Sequence, residues 1–168
     1  VNIVIVNPVH FDLMDYGSQG VYIIQEDVNE EKAVLTMKAK LTNDLDTEKK
    51  VRVWADILNA EGKAVAYMAK EVVLAAGENQ TVEMPVVINN PTLWNGRKNA
   101  YMYEMKISLT SFNDTIDELS IPFGVRYFGV DPEKGFILNG QPLRLNGVSR
   151  HQDRKDMGWA ITKKEHKE

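Results

Sequence analysis

The residues of this chain whose types and spacing best suit chemistry lie at positions 150–153, where Arg150, His151, Gln152 and Asp153 follow one another. They come directly after a strand-like segment, residues 143–149. Polar side chains gathered at the carboxyl end of a strand are the arrangement from which a (β/α)₈ barrel builds its active face. A solvated charged tail is the competing interpretation, and the residue types alone favour it. His151 is therefore a candidate site residue only if the chain continues into such a fold.

The other groups capable of chemistry show no pattern of a known site. The chain contains no phosphate-binding glycine loop, no His-Glu-x-x-His pair, no calcium loop and no Gly-x-Ser-x-Gly elbow. His10 lies in a linker-like stretch and His166 in a charged tail. Nearly all of the 24 carboxylates fall on predicted outward strand faces or in turns, where they keep the surface charged. We therefore nominate no catalytic residue and no metal ligand in this sequence.

Composition argues against several classes of protein. The chain has 168 residues and no cysteine, so it is long enough for a hydrophobic core but holds neither a disulfide nor a cysteine-based zinc site. A net charge of −4 argues against nucleic acid or an anionic membrane as the main partner. No apolar run approaches the about 20 residues that a membrane-spanning helix needs. We expect a soluble acidic domain, whose compartment stays open between cytoplasmic and periplasmic or secreted.

The elements that must position these groups are predicted to be β-strands, because apolar residues recur at every second position. The alternating segments are residues 33–41, 51–57, 82–88 and 101–109. Residues 21–24, 65–74 and 119–125 are predicted to supply the remaining strands. Pro85 lacks a backbone N–H and therefore favours an edge position or a bulge for its strand. Trp54 is predicted on the outward side of its strand, where a lone domain would carry a polar residue.

Turn-forming residues separate the alternating segments. They are Asn43-Asp44, Glu61-Gly62, Ala76-Gly77, Asn89-Asn90-Pro91 and Asn113-Asp114. About seven short strands with regular turns are typical of an immunoglobulin-like sandwich. The Asn139-Gly140 pair suits the positive φ angles of a type I′ turn and predicts a hairpin over residues 136–143. The predicted fold is all-β: an immunoglobulin-like antiparallel β-sandwich with a C-terminal β-hairpin and a flexible tail.

Two flanks fall outside the predicted sandwich, which takes residues 19–129. Residues 1–18 begin with an apolar run and continue through Asn7-Pro8, which we interpret as an exit strand and linker from a preceding domain. Residues 130–168 hold the hairpin, the strand-like segment and a highly charged end. Such an end buries too little apolar surface to order itself without a partner. We expect residues 136–161 to be disordered, folded back on the sandwich or paired with a neighbouring molecule.

Four segments resemble known sequences, and together they cover nearly the whole chain. They are NPVHFDLMDYGSQGVYI (7–23), NNPTLWNGRKNAYMYEMKISL (89–109), FGVRYFGVD (123–131) and FILNGQPLRLNGVSRHQDRKDMGWAI (136–161). The second is similar to a Pro-x-Leu-Trp … Leu-Tyr segment of glycoside hydrolase family 2, with Tyr101 or Tyr103 in the final aromatic place. The last resembles that family's Asn-Gly-Lys-Pro … Gly-Val-Asn-Arg-His-Glu signature, but with Ser149 for asparagine and Gln152-Asp153 after the histidine. The likeness is greatest to the family's bacterial β-galactosidases.

This resemblance implies a place for the chain within a larger enzyme. In that family a jelly-roll sugar-binding domain precedes an immunoglobulin-like sandwich, and a catalytic barrel follows. Residues 1–18 would lead out of the jelly roll, residues 136–145 would form a hairpin at the base of the barrel, and residues 145–151 would be the first strand of a truncated (β/α)₈ barrel. His151 matches a family histidine that lines the sugar-binding site.

The same resemblance implies the chemistry of the parent enzyme. The family's two catalytic glutamates, an acid/base and a nucleophile, lie on later barrel strands and are not in this chain. The parent would be a retaining glycosidase that hydrolyses terminal β-galactosides. This chain would be its linker or scaffold domain, inactive by itself and holding no cofactor, while a divalent-cation requirement of the parent stays open. Its partners would be the flanking jelly-roll and barrel domains, with carbohydrate as the parent's substrate.

Two alternatives remain beside this interpretation. A β-glucuronidase or β-mannosidase of the same family is the nearest one. A stand-alone immunoglobulin-like binding or adhesion module explains the sandwich equally well, but does not explain an Asn-Gly hairpin followed by Arg150 and His151. If the chain joins two domains, its contact faces should be rich in aromatic residues, with Trp54, Trp94 and Trp159 as candidates.

Overall fold

A computed structural model describes residues 3–112 and 114–167 of the chain. These residues form eleven β-strands in antiparallel sheets. The strands are β1 (Val9–Phe11), β2 (Val21–Val28), β3 (Lys32–Asn43), β4 (Lys49–Leu58), β5 (Ala64–Leu74), β6 (Asn79–Asn89), β7 (Tyr103–Ser111), β8 (Asp114–Phe123), β9 (Phe128–Asp131), β10 (Gly135–Leu138) and β11 (Gln141–Pro142). The described part of the chain contains no helix that could cross a lipid bilayer. The predicted all-β sandwich is confirmed.

The first sheet is built on β3, the longest strand. Strand β6 pairs along one side of β3, while β2 and β1 pair one after the other along the opposite side. Strand β6 pairs only with β3 in the described structure, so Pro85, opposite Thr36, lies on an edge strand. There its missing N–H interrupts no ladder on the outer side, as the sequence predicted.

The second sheet has the strand order β5-β4-β7-β8 and packs against the first. Alternate residues of the central strands point between the two sheets and are almost completely buried. They include Leu35, Met37, Leu41, Val53, Ile57, Ile107 and Leu109. Each such side chain contributes about 1.5–3 kcal/mol on leaving water. Since the chain has no cysteine, apolar burial holds the two sheets together without any disulfide.

Strand β1 is an element that the sequence analysis did not predict. Val9, His10 and Phe11 pair with residues 41–43 of β3 and are buried. The backbone N of Phe11 also donates to Oδ2 of Asp117 in β8 at 2.9 Å, so β1 joins the two sheets. The first sheet therefore includes residues N-terminal to position 19. Residues 3–6 are exposed and lie in no strand, and their origin in a preceding domain stays a prediction.

The C-terminal hairpin belongs to a third, small sheet with the order β11-β10-β9. Asn139 and Gly140 have φ angles of 48° and 76°, which confirms the predicted turn with two left-handed residues. Part of the 136–161 segment is thus paired, and its partner is β9 of the same chain. Residues 143–153 lie in no strand and are exposed. A strand needs a hydrogen-bonded neighbour, and this sheet ends at β11; the assignment of residues 145–151 to a barrel stays a prediction.

Candidate interdomain junction

Asn139 fastens the C-terminal hairpin to the sandwich. Its Nδ2 donates to the backbone oxygen of Trp94 at 2.9 Å and to Oδ1 of Asn95 at 2.8 Å. Its Oδ1 accepts from the backbone N of Tyr127 at 2.9 Å, and its own backbone N donates to the oxygen of Tyr127 at 2.9 Å. Asparagine suits this position because it tolerates a left-handed backbone and its amide both donates and accepts. We call the set Trp94, Asn95, Gly124, Arg126, Tyr127 and Asn139 the hairpin junction.

Two glycines allow the parts of the hairpin junction to approach closely. A Cβ on Gly124 would lie 2.8 Å from Cβ and Cγ of Trp94, closer than real atoms approach. A Cβ on Gly140 would lie 2.9 Å from the hydroxyl of Tyr127. The backbone N of Trp94 donates to the oxygen of Val125 at 2.8 Å, next to the first glycine. The indole of Trp94 therefore packs directly against the segment that connects β8 to the hairpin.

The sandwich reaches the hairpin junction through Gln25 of β2. Its Nε2 donates to the oxygen of Gly124 at 3.0 Å, and its Oε1 accepts from the backbone N of Arg126 at 2.8 Å. The guanidinium carbon of Arg126 lies 5.1 Å from the centre of the Trp94 ring, within cation–π range. Residues 124–126 are thus held by the first sheet on one side and by Trp94 on the other.

An aromatic cluster supports the loop that carries Trp94. The backbone N of Thr92 donates to the hydroxyl of Tyr103 at 2.9 Å. The Tyr103 ring stacks on Phe123 at a centroid distance of 5.8 Å and meets Tyr101 edge-on at 5.1 Å. Burial raises the pKa of the Tyr103 hydroxyl, which therefore stays protonated. Of the two tyrosines considered for the family motif, Tyr103 is the buried one and Tyr101 is half-buried.

A separate ion pair holds the N-terminal approach to the sandwich. Asp15 accepts from Nζ of Lys40 at 2.6 Å and from the hydroxyl of Tyr22. The hydrogen bond from Lys40, followed by that from Tyr22, holds the pKa of Asp15 below its ordinary value. The same contact raises the pKa of Lys40. Residues 12–20 are thereby tied to β3 by a charged contact, which we call the loop latch.

In the described residues, His151, the predicted substrate-binding residue, makes no hydrogen bond to the hairpin junction. It is exposed in the segment after β11, and its neighbour Arg150 places Nη2 at 2.7 Å from Nε2 of His166. His10, by contrast, is packed within β1, with Nδ1 at 2.9 Å from the oxygen of Asn7. A sugar-binding role of His151 therefore stays a prediction. In residues 3–112 and 114–167, no group of three His, Cys, Asp or Glu side chains is placed to hold a metal ion.

The three tryptophans occupy different places. Trp94 is half-buried in the hairpin junction, and Trp54 is half-buried on the outer face of the second sheet, which confirms its outward direction. Trp159 is exposed near the end of the chain. A contact between any of these tryptophans and another domain stays a prediction.

Several residues of the hairpin junction were not found by sequence reasoning. Gly124 and Arg126 were not singled out, and neither was Gln25 of β2, which contacts them, since the partners are remote in the sequence. Gly124 did carry a signal: a glycine inside an apolar strand pattern indicates a close approach of another part of the chain. For Gln25, no comparable signal exists in the sequence.

The described residues thus form an immunoglobulin-like sandwich to which Asn139 fastens a C-terminal hairpin. Comparison with known protein families adds a family to this description. The model of the glycosyl hydrolases family 2 matches residues 19–126, and the chain belongs to this family.

The relatives include both β-glucuronidases and β-galactosidases. A β-glucuronidase from Bacteroides fragilis is 37% identical over 156 residues, which are 92% of this chain and 22% of the relative. A β-galactosidase from Bacteroides ovatus is 31% identical over 145 residues, 86% of this chain and 17% of the relative. The crystal structure of Bacteroides uniformis β-glucuronidase matches with a TM-score of 0.85 at 29% identity, over 96% of this chain and 20% of that one. The chain thus spans about a fifth of the length of these relatives.

Proposed function

We propose that this chain is the linker or scaffold domain of a retaining β-galactosidase and holds a jelly-roll domain and a catalytic barrel in fixed register. The observation that carries the proposal is the hairpin junction, in which the Asn139 amide ties the β10–β11 turn to the loop of Trp94. A hairpin fastened in this way orients the segment that follows it. The chain's share of about a fifth of its relatives' length supports a part within a longer enzyme.

Exposed apolar side chains support a partner on the C-terminal side. Val130, Leu145, Val148 and Trp159 are all exposed, at 65–94% of their full surface. These four residues fall within positions 130–159 of the chain, and exposed apolar surface of this kind is a feature of contact sites. We propose that the barrel covers this region and that residues 145–151 become its first strand once neighbouring strands are present.

The scaffold role is tested in the full-length enzyme with Asn139→Ala. We expect kcat/KM to fall at least about tenfold, since a shift of the hairpin displaces the first barrel strand from its productive position. Asn79→Ala, on the exposed start of β6, is the matched control and should keep the activity. An unchanged kcat/KM for the Asn139 variant would show that the hairpin junction does not position the barrel.

We further propose that His151 binds the sugar in the full-length enzyme. The basis is its match to the family motif at the end of residues 145–151. His151→Ala should raise KM or lower kcat/KM, and His151→Gln, which retains a hydrogen-bonding side chain, should recover part of the loss. Full activity of the alanine variant would remove His151 from the sugar site.

The substrate proposed is a terminal β-galactoside, supported by the sequence resemblance and by the Bacteroides ovatus relative. A terminal β-glucuronide is the second candidate, because the 37% identical relative is a β-glucuronidase. A β-mannoside is the third, offered by the family resemblance. Assays of the full-length enzyme with the three nitrophenyl glycosides distinguish them, and the largest kcat/KM identifies the sugar.

We infer that the 168-residue chain has no turnover of its own, since the resemblance places both catalytic glutamates on later strands. Hydrolysis of a nitrophenyl galactoside by the purified chain would contradict this.

We place no cofactor in this chain, and assays of the full-length enzyme with and without a chelator test its need for a divalent cation.

The stand-alone immunoglobulin-like module is the alternative to the scaffold role. It is favoured if the reading frame downstream encodes another sandwich or stops.

A further inference from the structure

We propose that the outer face of the second sheet binds a neutral oligosaccharide. A groove of about 550 Å³ runs over β4, β7 and β8. This volume lies within the range of about 300–1,000 Å³ that is common for small-ligand sites. The site belongs to this chain and does not depend on the proposed function.

The register of the strands arranges the groove residues in rows. Side chains that face each other across neighbouring strands stand about 5 Å apart, and successive outward residues along a strand about 7 Å apart. The first row is Trp54, Ser108 and Glu118, the second is Asp56, Lys106 and Ser120, and Glu104 begins the third. The Ser120 hydroxyl already donates to Oε1 of Glu104. The remaining donors and acceptors are closely spaced, like the hydroxyls of a sugar.

Trp54 forms an ordered apolar wall of the groove. Its Nε1 donates to Oδ2 of Asp56 at 2.9 Å. Its ring stacks on Tyr67 at a centroid distance of 5.5 Å, and the guanidinium carbon of Arg52 lies 4.8 Å from the ring centre. Three contacts therefore hold a half-buried indole in one orientation, so little freedom is lost when a ligand packs against it. Trp54 remains half-buried and lines the groove, so the part of its indole that these contacts leave uncovered can meet the C–H groups of a sugar ring.

The charges in the groove select for a ligand without an acidic group. Three carboxylates line it, those of Asp56, Glu104 and Glu118, against the ammonium of Lys106. In the described part of the chain, the salt bridges do not include Lys106, so its three N–H donors face the groove without an ionic partner. Carboxylates accept hydrogen bonds from hydroxyls but repel other carboxylates and sulfates. A neutral saccharide fits this balance, and a uronate does not.

The same charges disfavour a protein partner at Trp54. The centre of a protein interface is depleted of charged residues, whereas this groove contains four of them around one tryptophan. A packed protein surface would take these charges out of water at a large free-energy cost. A hydroxylated ligand can instead bind them while water stays at the edges. The groove therefore suits a saccharide better than the domain contact that the sequence suggested for Trp54.

The test is a titration of the 168-residue chain with β-1,4-galactotetraose, followed by backbone amide NMR shifts. We expect the shifts to concentrate at Trp54, Lys106 and Ser120, with saturation in the millimolar range. Trp54→Ala should weaken binding about tenfold, as truncation of a central aromatic contact does. Lys106→Ala should also weaken it, and as an exposed position it keeps the fold intact. Trp159→Ala, in the tail, is the matched control and should bind like the unaltered chain.

Three results would overturn the proposal. The first is the absence of shifts in the groove, or equal binding by the Trp54 and Lys106 variants. The second is equal binding of tetragalacturonate, a matched anionic tetrasaccharide. The third is protection of Lys106 from amine acetylation in the full-length enzyme without saccharide, which would show that a protein surface covers the groove.

Discussion

The sandwich and the segment after β11 contain similar apolar residues but expose them very differently. In β3 the alternating residues Leu35 and Met37 are at most 1% exposed, whereas Leu145 and Val148 are 65% and 94% exposed. The difference is the presence of a facing surface. Strand β3 has hydrogen-bonded neighbours on both sides and a second sheet over its inner face. Residues 144–153 have neither, and Leu143 keeps only the hydrogen bond from its backbone N to the oxygen of Phe136 at 2.8 Å. The strand-like sequence pattern of this segment therefore forms no strand.

The largest expected contrast between the two regions is in proteolysis. Trypsin should cleave at Arg144, Arg150 or Arg154 without unfolding, since these residues are exposed. Cleavage within β3 or β7 requires opening of the sandwich, which costs about 5–15 kcal/mol in an ordinary domain, and should be at least about a thousandfold slower. Mass spectrometry of a dilute monomeric digest measures both rates. Resistance of residues 145–168 under these conditions would show a folded tail.

Truncation of an apolar side chain should also affect the stability of the two regions differently. We expect this difference to be smaller than the difference in proteolysis. Ile107→Ala removes a side chain that is 1% exposed and should lower the free energy of unfolding by about 2–5 kcal/mol. Val148→Ala should change it by no more than about 0.5 kcal/mol, because that side chain is exposed. Urea denaturation followed by fluorescence measures both. A large effect at Val148 would reveal a contact that the structure lacks.

Asn139 lies between the two regions and should show an intermediate, local effect. Asn139→Ala leaves the backbone partners at Trp94 and Tyr127 without the amide, which should destabilise the hairpin by about 1–3 kcal/mol. Hydrogen exchange should speed up in β9 and β10 and stay unchanged in β3 and β7. Asn139→Gly keeps the left-handed backbone and removes only the amide, so it separates the two contributions. Uniform loss of protection throughout the chain would contradict a local junction.

The smallest effect is expected at the loop latch. The pKa of Asp15 is below its ordinary value of 3.8, so its contribution to stability is present above that value and is lost as pH falls through the lowered pKa. The pKa of Lys40 is raised above 10.5, so its contribution is present below that pH and is lost as pH rises through the raised pKa. The loop latch should therefore hold residues 12–20 at pH values between the lowered pKa of Asp15 and the raised pKa of Lys40.

Carboxyl NMR titration of Asp15 tests the latch directly. Lys40→Met should move the pKa of Asp15 up toward its ordinary value, because it removes the main hydrogen bond that stabilises the carboxylate. Lys98→Met, on the exposed loop after Trp94, is a control for the loss of one positive charge. Equal shifts in the two variants would mean that overall charge, and not the contact, sets the pKa.

The parts of the fold that could be predicted depend on neighbours along the chain. The alternation in residues 33–41 predicted β3, and the Asn139-Gly140 pair predicted the turn of the C-terminal hairpin. Both predictions depend only on local preferences. Strand β1 was missed because three residues are too few to show a period, and its burial depends on residues 41–43. The partners of Asn139 were missed for a similar reason: Trp94 and Asn95 lie far away in the sequence.

By itself, the sequence determined the strand pattern, the turns and the family motifs, because side-chain period and backbone φ preference act over a few residues. Only the tertiary structure decided that β1 joins the sandwich, that Asn139 hydrogen-bonds to the loop of Trp94, and that Trp54 lies near carboxylates on an outer face. These features depend on contacts between remote segments, whose free energy exists only after the sheets have formed and brought them within hydrogen-bond distance.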